Sequence, residues 1–62
     1  MDVYRSAKLL IDKYGKTAPI VAAQRADELL AAGDMDGKIV WLAISRAIEE
    51  MQRGRRDGET VN

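Results

Sequence analysis

The chain has 62 residues, ten basic and ten acidic side chains, 47% apolar residues, and neither cysteine nor histidine. This length allows a single domain with a thin hydrophobic core. The missing residue types exclude disulfides, structural zinc and histidine-dependent catalysis, and the balanced charge does not favour a polyanion as the main partner.

The first predicted helix covers residues 2–14. Its apolar residues recur at spacings of three and four, which places them on one stripe of a helix. The stripe consists of Val3, Ala7, Leu10, Ile11 and Tyr14. Gly15 follows directly, and a glycine there suits the left-handed backbone conformation that commonly ends a helix.

The second predicted helix covers residues 18–32. Thr17 can cap it with its hydroxyl group, and Pro19 is tolerated in a first turn whose N–H groups have no acceptor within the helix. The expected buried face consists of Ala18, Val21, Ala22, Ala26, Leu29 and Leu30. These are mostly small residues, so a neighbouring helix can come close. Gly33 ends the helix.

The third predicted helix covers residues 35–53. Asp34 and Asp36 can both cap it, and Asp34 is the preferred cap, which leaves Gly37 in the first turn. The expected apolar stripe consists of Val40, Trp41, Ile44, Ala47, Ile48 and Met51. Residues 54–62 show no periodicity and are predicted to form a flexible, disordered tail.

These segments predict an all-α, three-helix, bundle-like domain at residues 1–53. Two topologies are open, a bundle of three helices or a helical hairpin with the remaining helix docked on it as an arm. At this size, the burial of apolar surface stabilises the fold by about as much free energy as the ordering of the chain costs. Because disulfides and zinc are absent, we expect oligomerisation to reinforce the fold.

Four large apolar residues project away from the predicted stripes. They are Leu9, Ile20, Ile39 and Leu42. Single exposed apolar residues are ordinary on protein surfaces. At residues 39–44, however, the third helix is apolar nearly all round, which indicates contact on two sides. These four residues are therefore the candidate protein interface, either with a second copy of the chain or with a different protein.

Two further residues have two interpretations each. Trp41 is preferred as the main core anchor, although tryptophan is also frequent among residues that dominate binding energy. Arg25 projects onto the apolar side of the second helix. The preferred interpretation lays its stem on that surface with the guanidinium in water, and the alternative is a buried ion pair or an anion-binding role.

The sequence predicts no catalytic, cofactor-binding or metal-binding residue. Nucleophilic catalysis needs a base beside the nucleophile, and Ser6 and Ser45 have no lysine at a motif spacing. Residues 33–37 have the acids and the glycine of a calcium-binding EF-hand loop, but at the wrong spacing. We expect no enzymatic activity, no cofactor, no metal and no small-molecule substrate.

The main basic segment consists of Arg53, Arg55 and Arg56, and it supports an alternative function as a nucleic-acid-associated regulatory protein. Asp57 and Glu59 offset part of its charge. The start of the third helix also offers few of the Arg, Lys, Asn and Gln side chains that read base edges. Nucleic acid is therefore the less favoured partner.

The sequence also predicts a cytoplasmic protein without membrane contact. Its longest apolar run, residues 39–44, is far shorter than the roughly 20 residues that cross a bilayer. The first residues lack a cationic leader followed by an apolar block, as a secretory signal would have.

One set of residues carries a resemblance to known proteins. The set consists of Ala26-Asp27, Leu29-Leu30, Gly33-Asp34, Gly37, Trp41, Ile44 and Ala47-Ile48-Glu49. It resembles a family of short, uncharacterised bacterial helical proteins, in which a helix ending in Gly-Asp leads into a helix with a central Trp and an Ala-Ile-Glu segment. The resemblance covers roughly residues 4–52. It implies the same helical fold and carries over no activity, cofactor or functional residue.

The combined prediction is a small non-enzymatic protein-interaction module. We expect it to form a homodimer through the four off-stripe residues, because a thin core without covalent reinforcement needs further burial.

Overall fold

The computed structural model describes residues 2–61, and for residues 54–61 it describes the backbone alone. It has three α-helices: α1 (Val3–Tyr14), α2 (Ala18–Ala31) and α3 (Met35–Val61). A 3-10 turn, Gly15–Thr17, joins α1 to α2. Residues 2–61 contain no β-strand, so the all-α prediction is confirmed. The predicted tail, residues 54–62, lies outside the residues whose side chains are described.

The first helix is capped by the residue predicted to begin it. Asp2 has an extended backbone, with φ −97° and ψ 105°, and its carboxylate accepts hydrogen bonds from the backbone N–H groups of Tyr4 and Arg5. Both donor–acceptor distances are 3.1 Å. These bonds satisfy two of the N–H groups that have no acceptor within a helix, so α1 starts at Val3.

Thr17 does not cap α2, so that prediction is wrong. The 3-10 turn continues directly into α2, and Thr17 has the helical φ of −88° and ψ of −2° rather than the extended conformation of a capping residue. Its hydroxyl donates instead to the backbone carbonyl of Tyr14, at 2.9 Å. Pro19 lies in the first turn of α2, as predicted.

The turn between α2 and α3 combines two capping devices. Gly33 has a φ of +84°. Its N–H donates to Leu30 at 3.0 Å, and the N–H of Asp34 donates to Leu29 at 2.8 Å. This is the Schellman pattern that closes a helix. The Asp34 carboxylate then accepts from the N–H of Gly37 at 2.8 Å and caps α3, as predicted. The helices α2 and α3 therefore form a tight hairpin.

Two hydrogen bonds join the first helix and the turn that follows it to α3. The Tyr4 hydroxyl donates to a Glu50 carboxylate oxygen at 3.0 Å, and the Gln52 amide donates to the Gly15 carbonyl at 3.1 Å. Both ends of α1 are thus bonded to α3, and all three helices pack against one another.

The core depends on close contact between α2 and α3. Three alanines, Ala18, Ala22 and Ala26, are buried along α2, at the four-residue spacing that forms one helix face. Ile44 and Ile48 of α3 are the largest fully buried side chains, and Ala7 and Ala47 complete the buried set. Small side chains on α2 let the α3 backbone approach, so both isoleucines lose their contact with water.

Two residues assigned to the apolar stripes are exposed, and Trp41 is less buried than a main core anchor would be. Leu30 is exposed, because it lies in the last turn of α2, away from the end that α1 covers. Tyr14 is exposed at the end of α1, where the contact with α3 is the polar one through Gln52. Trp41 is half-buried and packs against the edge of the core. Ile44, not Trp41, lies at its centre.

Replacing Gly33 with L-alanine should lower the free energy of unfolding by about 1–2 kcal/mol, because an L side chain disfavours positive φ. Nothing lies within 4 Å of the position that the methyl group would occupy. D-alanine prefers positive φ, so at the same position it should raise stability by about 0.4–1 kcal/mol. Urea unfolding of chemically synthesised chains measures the stability of the L-alanine and the D-alanine chain. Equal stabilities would contradict the positive φ at residue 33.

Replacing Gly37 with alanine should also destabilise the chain, although alanine normally favours helices. The added methyl would lie 2.7 Å from Asp34 Oδ2 and 3.1 Å from Leu29 Cδ1. It would therefore displace the capping carboxylate, whose loss costs about 0.5–2 kcal/mol. In an Asp34→Ala background we expect a smaller cost. A double-mutant cycle by urea unfolding measures the coupling between the substitutions at residues 34 and 37. Additive effects would contradict a clash between the added methyl group and the Asp34 carboxylate.

Candidate interaction surface

An open groove lies between the start of α1 and the outer side of α3, with a volume of about 450 Å³. Val3 and Ala47 are its more buried lining residues. The side chains that line its exposed part come from both helices. They are Tyr4, Ile39, Leu42, Ala43, Arg46 and Glu50. The groove therefore includes two of the four residues predicted as a protein interface.

Ile39 and Leu42 face away from the core because of their positions relative to Ile44. At 100° per residue, Leu42 lies about 160° from Ile44 around the helix axis, and Ile39 lies about 140° from it. Ile39 is 60% exposed and Leu42 is 42% exposed. Met35, four residues before Ile39, is also exposed. We call Met35, Ile39 and Leu42 the outer stripe of α3.

The other two predicted interface residues are exposed but do not line this groove. Leu9 is two residues from the buried Ala7, and Ile20 is two residues from the buried Ala22. Each therefore lies about 160° from the core side of its own helix. The structure brings Ile39 and Leu42 together, and it places Leu9 and Ile20 on the outer faces of α1 and α2.

Two large, exposed apolar residues of this surface were missed by the sequence analysis. Met35 continues the spacing of four and three through Ile39 to Leu42, so helical periodicity could have found it. Tyr4 is exposed near the start of α1 and joins the groove only because α1 packs against α3. No pattern within one helix contains that information.

The groove carries one positive and one negative side chain, Arg46 and Glu50. The hydrogen bond to Glu50 raises the pKa of Tyr4 above its ordinary value of 10.0, and the negative charge of the carboxylate adds to the effect. Both influences favour the protonated phenol. The Tyr4–Glu50 hydrogen bond therefore joins two lining residues of the groove at neutral pH.

The remaining charged contacts are on the surface. Arg25 is exposed, and its guanidinium lies 3.5 Å from the Glu28 carboxylate on the same helix. Its guanidinium is thus in water, and the buried ion pair is wrong. Lys8 and Asp12 form a similar pair at 3.8 Å. Exposed pairs of this kind contribute little to stability.

The chemistry of the described residues adds no further site. Among them, no group of three or more His, Cys, Asp or Glu residues could hold a metal ion. Within the same part of the chain, no helix has both the length and the apolar composition that crossing a bilayer requires.

For the alternative nucleic-acid function, the structure places only one of the three arginines. Arg53 is exposed on α3. The side chains of Arg55 and Arg56 lie outside the described residues, so this basic segment stays a prediction.

In the comparisons with known proteins, no family model, no curated protein and no solved structure matches the chain. The resemblance to short bacterial helical proteins therefore stays a prediction.

The Tyr4–Glu50 contact predicts a specific pH dependence. In a Tyr14→Phe variant Tyr4 is the single tyrosine, and its phenolate absorbance should titrate with a midpoint above the ordinary pKa of 10.0. Because the folded-state pKa is raised, the stabilisation is complete below the unfolded pKa and is lost as pH rises through the folded one. Adding Glu50→Ala should return the midpoint towards its ordinary value, and an unchanged midpoint would contradict the contact.

Proposed function

We propose that this chain is a protein-interaction module that forms a homodimer through the outer stripe of α3 and the groove beside it. The observation that carries the proposal is that more large apolar side chains are exposed than are fully buried. Among the described side chains, only Ile44 and Ile48 are both large and fully buried. The exposed large apolar residues are more numerous: Tyr4, Leu9, Tyr14, Ile20, Leu30, Met35, Ile39 and Leu42.

This imbalance matters because a small domain has little free energy to spare. Folding orders every residue at a cost of roughly 1.5 kcal/mol. A core built largely of alanines removes little apolar surface area from water per residue, so it offsets little of that cost. Association that removes further apolar surface from water stabilises the folded state by about 25 cal/mol per Å². A second copy is always present at the concentration of the first, so dimerisation needs no other gene product.

The outer stripe is the best-placed apolar surface for that contact. Its three residues lie on one side of one helix, and Tyr4 and the groove continue the surface onto α1. Apolar residues that lie together can be buried by a single partner, whereas Leu9 and Ile20 lie on the outer faces of two different helices. A twofold dimer brings identical patches into contact, so one contiguous apolar patch suffices.

Two isoleucines of nearly equal exposure provide a matched test. Ile39 is 60% exposed on the outer stripe, and Ile20 is 58% exposed on α2. We expect Ile39→Glu to convert a dimer of two 6.9 kDa chains into a monomer, because the glutamate would be buried at the interface. Ile20→Glu should leave the dimer intact. Light scattering after size exclusion, over a hundredfold range of concentration, measures both.

Leu42→Glu serves as a second disrupting variant, and circular dichroism checks that each variant keeps its helices. A wild-type chain that stays monomeric over the whole range would overturn the homodimer and favour a different protein as the partner. If Ile39→Glu and Leu42→Glu both stay folded and dimeric, the interface lies on another face and the proposal fails.

A further inference from the structure

We infer that in this dimer the two copies of α3 pack antiparallel, with Asp36 of each copy facing Arg46 of the other. The inference rests on the proposed homodimer and specifies its geometry. The observations that support it are the order of charged and apolar residues along α3 and the position of the groove.

The spacing of residues along α3 determines which pairs can meet. In an antiparallel pair of identical helices, one chain runs up where the other runs down. The numbers of any two residues that face each other therefore add up to about the same value along the whole contact. If Ile39 of one copy packs against Leu42 and Ala43 of the other, the apolar stripe lies at the centre of the contact. Asp36 then lies opposite Arg46, and the twofold axis generates this pair twice.

The two charged residues fit this role. Asp36 and Arg46 are both exposed, and neither belongs to the ion pairs formed among the described side chains. They lie ten residues apart, about 15 Å along the helix, with Asp36 before Ile39 and Arg46 after Leu42. Opposite charges at the rim of an apolar contact set the orientation of the partners more than they add affinity.

A parallel arrangement lacks these advantages. It would place Asp36 against Asp36 and Arg46 against Arg46, and like charges in contact disfavour a complex. The antiparallel arrangement also brings Met35 of the second copy to the level of Arg46, where the groove beside Tyr4 opens. An exposed apolar side chain then meets a groove of matching chemistry.

Charge reversal in two separate variants tests the geometry. Asp36→Arg would place arginine against Arg46, and Arg46→Asp would place aspartate against Asp36. We expect each variant alone to dimerise at least about tenfold more weakly than the wild type. When the two are mixed, both cross-pairs again join opposite charges, so a heterodimer should form with affinity close to that of the wild type.

Native mass spectrometry distinguishes the heterodimer from either homodimer, because the two variants differ in mass. Restoration in the mixture also separates an interfacial role of Asp36 from its favourable position in the first turn of α3, because mixing cannot repair a helix terminus. A mixture of the wild type with Ile20→Glu is the matched control and should give a statistical distribution of dimers.

Failure of this inference is distinguishable from failure of the homodimer. If the wild type is a dimer that Ile39→Glu disrupts, but the charge variants alone dimerise as well as the wild type, the antiparallel pairing is wrong and the proposed function stands. If each variant is weakened and the mixture does not recover, the Asp36–Arg46 pair is also wrong. A monomeric wild type overturns both.

Discussion

The contact between the alanine face of α2 and the isoleucines of α3 is the interaction on which the rest of the structure depends. Ala18, Ala22 and Ala26 have almost no side chain to separate the two backbones, so Ile44 and Ile48 fill the space between the helices. Larger residues on α2 would hold α3 farther away and open that space to water. The tight turn through Gly33 brings the two faces together.

The first helix leaves one side of α3 open. Its apolar residues pack against the core and its polar contacts are with Glu50 and Gln52, whereas the outer stripe lies on the opposite side of α3 from Ile44. The same packing creates the groove, because the start of α1 lies beside α3. The core and the candidate interface thus both follow from the packing of the same three helices.

Much of this arrangement could be predicted from the sequence, because it depends on local chemistry. Periodicity located three helices, and the preference of aspartate for capping positions identified Asp34. The prediction that Thr17 caps α2 was wrong because a 3-10 turn takes the place of the extended backbone that capping requires. The packing of α1 against α3, and with it the position of Tyr4, depends on contacts between residues far apart in the sequence. Exposure of Ile39 and Leu42 followed from spacing alone, whereas their common groove did not.

The core is uniformly apolar, so it does not by itself fix the register of α3 against α2. None of the described buried side chains is polar or charged. Polar groups inside a helical core can specify register, because only one alignment pairs them. Here alanine repeats along α2 every four residues, so a shift of α3 by one turn would present nearly the same surface to Ile44. Alignment must come from outside the core, through the short turn at one end and the hydrogen bonds of Tyr4 and Gln52 at the other.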